Sequence, residues 1–66
     1  MSKVDKMIEE AISSIHYKRK KMKLSQEDLA LKVGCTIGAI SNIETLKAKP
    51  SLDLLKKICE VLDIDL

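Results

Sequence analysis

The segment Ser25–Glu44, "SQEDLALKVGCTIGAISNIE", leaves this chain few ways to fold, because two helical patterns within it are separated by only about two residues. Ser25 reads as an N-cap, and Asp28, three residues on, stands in the place of a capping-box acid. Leu29, Ala30 and Val33 then recur on one face, and Gly34 offers the left-handed conformation that commonly closes a helix. Thr36 reads as the cap of a further helix whose inward residues are Ile40 and Ile43. So short a connector forces the two helices to cross steeply.

The flanking segments supply the rest of a core. Val4, Met7, Ile8, Ala11, Ile12 and Ile15 recur at steps of three and four, predicting an amphipathic first helix over about residues 3–22 with Ser2 as its cap. The second and third helices fall at about 26–33 and 37–44. "LKAKP" breaks the pattern, Pro50 fixes a boundary, and Ser51 caps a last helix over about 52–62. Leu52, Leu55, Ile58, Cys59 and Leu62 share one side of it. The expected fold is all-α: one compact four-helix domain over residues 1–66, with helices two and three forming a helix-turn-helix.

Composition agrees and removes several functions. At 66 residues the chain is near the lower limit for a core without metals or disulfides. Its apolar share is 45%, yet Tyr17 is the sole aromatic, which favours helices packed through Leu, Ile, Val and Ala over a β-sandwich. Cys35 and Cys59 sit inside apolar patterns, and Met1–Ile12 is too charged for a signal peptide, so reduced core thiols in a cytoplasmic protein are expected. No apolar run approaches the roughly 18 residues of a membrane span. His16 is the only histidine, and neither it nor the cysteines have C-x-x-C or H-x-x-x-H spacing. No metal, cofactor or catalytic site is expected, and no enzymatic activity.

Net charge is only +2, but unevenly spread. Residues 17–24 carry five bases and no acid, while residues 51–66 carry four acids against two bases. The basic run suits an anionic partner, and equally a solvated helix C-terminus, where cations complement the dipole.

Taken together, Arg19, Leu24-Ser25-Gln26, Leu29-Ala30, Gly34, Ile40, Ile43-Glu44 and Pro50-Ser51-Leu52 resemble the helix-turn-helix domains of Cro/cI-type phage repressors and xenobiotic-response-element regulators, over about Ile12 to Leu66. The resemblance implies a lambda-repressor-like fold and sequence-specific binding of double-stranded DNA, with the third helix in the major groove. It further implies a transcriptional regulator, expected to be a repressor acting as a homodimer on an inverted-repeat operator. Base reading would fall to Thr36, Ile37, Gly38, Ser41 and Asn42. Of these Asn42 alone has a bidentate amide, suited to adenine, while Ile37 fits a thymine methyl. Phosphate contact would fall to Gln26, Lys20, Lys23, Thr45, Lys47 and Lys49. Arg19 and Glu44 occupy the positions of a structural charge pair.

Three departures matter. Leu46 stands where relatives often carry Gly, so a left-handed backbone there would cost roughly 1 kcal/mol or more. Many relatives continue past "LDIDL" into a fifth helix, which here is absent or only begun. The first helix, conversely, starts about two turns early. Its Val4, Met7, Ile8 and Ala11 stripe is expected either to cover the core or to form the dimer surface, with the C-terminal helix as the other candidate interface. The alternative function is a protein-interaction or antitoxin-type module in which DNA binding is secondary.

Overall fold

Ser25, Thr36 and Ser51 each accept a backbone N–H from three residues on, at 2.9, 3.1 and 3.2 Å, and each is followed by a helix. At Ser25 the bond is reciprocated: Asp28 accepts the Ser25 N–H at 2.9 Å, completing a capping box. The computed structural model describes residues 3–65, with side chains from Lys6 onward. It comprises α1 (Lys3–Lys21), α2 (Gln26–Val33), α3 (Ile37–Glu44) and α4 (Leu52–Leu62), with no strand among the described residues. The proposed Ser2 cap and the Val4 side chain lie outside the described residues.

All four helices close in the same way. Lys23, Gly34, Leu46 and Asp63 take positive φ of 59°, 87°, 63° and 56°. The N–H of the next residue then reaches back to a helix carbonyl: Leu24 to Arg19, Cys35 to Ala30, Lys47 to Asn42 and Ile64 to Cys59, at 2.8–3.1 Å. Only one of these four positions is glycine. Leu46 thus takes the left-handed turn for which the resemblance implies Gly, and carries its steric cost.

The core is one aliphatic cluster drawn from every helix: Ile12 and Ile15; Leu29, Ala30 and Val33; Ile40 and Ile43; Leu55, Ile58, Cys59 and Leu62. α1 and α2 each pack against both α3 and α4. Cys35 and Cys59 are free thiols, Cys35 at the edge of this cluster and Cys59 inside it, where burial pushes its thiol above the usual range. The early part of α1 divides its stripe. Ile8 packs on the core, Ala11 is half-buried, and Met7 stands 67% exposed beside a cleft shared with Ile64 and Asp65. No helix among the described residues is long and apolar enough to cross a membrane.

Candidate nucleic-acid interface

α3 buries Ile40 and Ile43 in the core, half-buries Ala39 and Ser41, and exposes Ile37, Gly38 and Asn42. At 100° per residue, Gly38, Ser41, Asn42 and Thr45 fall together on the opposite side, with Ile37 on its flank. Ile37 is 52% exposed, Gly38, Asn42 and Thr45 are exposed, and Ser41 is half-buried. Among the described residues a Cβ placed on Gly38 would meet nothing within 4 Å, so none of them requires a glycine there. Thr36, at the mouth of α3, accepts the Ala39 N–H and keeps its own hydroxyl proton to give. Thr45 is differently placed: its hydroxyl donates to the Ser41 carbonyl at 2.8 Å, and must leave that bond to donate to a phosphate.

The outer end of α3 is pinned by Glu44, whose side chain is only 3% exposed. Arg19, buried on α1, grips it with two bonds, Nε to Oε2 at 2.6 Å and Nη2 to Oε1 at 2.9 Å. Its remaining Nη1 donates to the Leu24 carbonyl at 2.7 Å, tying in the turn between α1 and α2. Gln26, the first residue of α2, donates from Nε2 to Oε1 at 3.3 Å. His16 Nδ1 lies 2.8 Å from the same oxygen, a hydrogen bond that needs the proton on Nδ1. One carboxylate therefore joins α1, α2 and α3. Burial alone would raise its pKa, but the bonds from Arg19, His16 and Gln26 outweigh that and hold it below the ordinary range. Among the described residues no buried side-chain nitrogen or oxygen lacks a partner.

The structure thus brings Arg19, Gln26 and Glu44 into one network and adds His16, which the sequence offers only as a metal ligand or a catalytic base and sets aside in both roles. The available signal was spacing: His16 precedes Arg19 by three residues and so lies one helical turn away. Gln26 is shared, with an amide that is half-buried against Glu44 yet sits at the start of α2. Lys20, Lys23, Lys47 and Lys49 are exposed, Lys23 and Lys47 in the turns that close α1 and α3. Lys21 instead lies over the Tyr17 ring, 5.9 Å from its centre.

Residues 15–66, nearly four-fifths of the chain and including α2 and α3, match the helix-turn-helix family. The chain belongs to the Cro/cI-type helix-turn-helix family. That family is one of DNA-binding transcription regulators. The match begins inside α1, and residues 3–14 of that helix lie outside it. No curated protein and no solved structure matches the chain.

Proposed function

We propose that this protein is a sequence-specific transcription regulator that lays α3 in the major groove of double-stranded DNA and acts as a repressor, two copies binding an inverted-repeat operator. The observation that carries this reading is the composition of α3's outward face. Glycine inside a helix costs about 0.5–1 kcal/mol relative to alanine, and nothing among the described residues needs Gly38 to be small. Ile37 beside it leaves apolar surface in water. Both choices disfavour the isolated molecule and favour one in which a partner's surface closes on that face. A major groove fits: the missing side chain admits the backbone, Ile37 meets a thymine methyl, and Asn42 pairs with adenine.

With few long side chains, α3 has a short vocabulary. Selectivity therefore draws on methyl contacts, on DNA shape and on phosphate anchoring by Gln26 and the lysines at 20, 23, 47 and 49, with Thr45 joining after a change of rotamer. Selection from a random duplex library, followed by affinity at two salt concentrations, tests the reading. Half-sites about one helical turn apart, bound with steep salt dependence, are expected. No enrichment above non-specific binding would refute it and restore the reading as a protein-contact module.

A further inference from the structure

Among the described residues, Glu44 Oε1 faces three donors while Oε2 faces one. A carboxylate has about four lone-pair sites over its two oxygens, so a third donor on one oxygen is in excess. The distances rank the claims: His16 at 2.8 Å and Arg19 Nη2 at 2.9 Å are ordinary, and Gln26 at 3.3 Å is long. Arg19 is fixed elsewhere by its bonds to Oε2 and to the Leu24 carbonyl. His16 is the competitor that decides how firmly Gln26 is held.

We infer that His16 is a positioning residue for DNA binding: by occupying Glu44 Oε1 it keeps the Gln26 amide loosely held and free to turn to a DNA phosphate at the start of α2. The inference rests on the DNA-binding reading and adds a residue to it that does not itself touch DNA. Without a donor at position 16, Gln26 moves into the vacated place on Oε1. It then has a full charge-assisted bond to break before it can reach a phosphate. The imidazole is well suited to this task because it is about half exposed and supports little of the core, so its replacement leaves the fold standing.

The test uses three variants of the full chain. His16→Leu removes the donor. His16→Asn restores it, since an asparagine side-chain N–H reaches nearly where imidazole Nδ1–H does. Gln26→Ala removes the group acted upon. The first readout needs no DNA: the side-chain amide resonances of Gln26 in 15N-labelled protein. In His16→Leu they are expected to move downfield and exchange more slowly with water, and in His16→Asn to stay near the wild-type positions. The second readout is affinity for the selected duplex, expected to fall about fivefold in His16→Leu, to recover in His16→Asn, and to be insensitive to His16→Leu once Gln26 is alanine. An unmoved Gln26 amide overturns the inference, as does an affinity loss of equal size in the Gln26→Ala background or no loss at all. If the wild-type chain binds no duplex, the DNA reading itself fails and takes this inference with it. Wild-type binding unchanged by His16→Leu sinks the inference alone.

Discussion

Gly38 and Leu46 show opposite uses of a locally unfavourable residue. At Gly38 the backbone is ordinary helix and the space beyond it open, so Gly38→Ala is expected to raise stability by about 0.5–1 kcal/mol while weakening DNA binding. Thermal melts and duplex titrations of the same protein would show the opposite signs; a variant both more stable and equally tight would remove the case for close approach. At Leu46 the strain lies in the backbone. Leu46→Gly relieves the left-handed geometry and should gain about 1 kcal/mol, measured by urea unfolding with unchanged m-value. Residue-scale features of this kind were unevenly legible. Ser25, Thr36, Ser51 and Gly34 advertise their roles because capping chemistry is local. Lys23 and Asp63 give no sign that they adopt positive φ, since neither is the glycine that normally marks such a turn.

α3 is held at its two ends by unlike means, a threonine cap at Thr36 and a buried carboxylate at Glu44, and most of the strength lies in the second. Losing one partner of a buried ion pair leaves the other charge uncompensated, at about 3–5 kcal/mol. A domain this small has only about 3–10 kcal/mol in all, so Arg19→Met alone is expected to bring the chain to the edge of unfolding. The double variant Arg19→Met, Glu44→Leu should melt higher than Arg19→Met, because no orphan charge remains; a double variant less stable than the single would contradict this view of the pair. The acid side follows from the same bonds. Glu44 and Asp28 both have folded pKa values below their unfolded ones, Asp28 through the Ser25 backbone N–H. Their contribution is therefore fully present above the ordinary carboxylate values of 3.8 and 4.5 and is lost as pH falls through the lower folded values. Urea midpoints should be flat near neutrality and decline below about pH 4.5; a decline that survives in the Arg19→Met, Glu44→Leu double variant undiminished would assign it elsewhere. The Arg19–Glu44 pair was legible only through family resemblance. His16 and Gln26 as its companions were not, since Glu44 follows them by 28 and 18 positions and only the folded chain brings them together.

For the molecule as a whole, aliphatic periodicity made the four-helix architecture readable, because each helix contributes one apolar face to a single cluster. The mode of assembly was not readable, since an apolar stripe at helical spacing is the same signal for core and for interface. The described part of the stripe divides between them: Ile8 turned to the core, Met7 turned out. If Met7 helps join two copies, Met7→Glu lowers the hydrodynamic mass to that of a monomer and leaves the helical content unchanged; an undisturbed dimer would move the interface to the C-terminal helix. In the proposed function, the outward face of α3 reads bases. The most direct measurement is the affinity of Asn42→Ala for the selected duplex and for an unrelated duplex at the same salt. A reader of adenine should lose about 1–3 kcal/mol on the selected sequence and almost nothing on the other. Equal losses on both, or none on either, would contradict it.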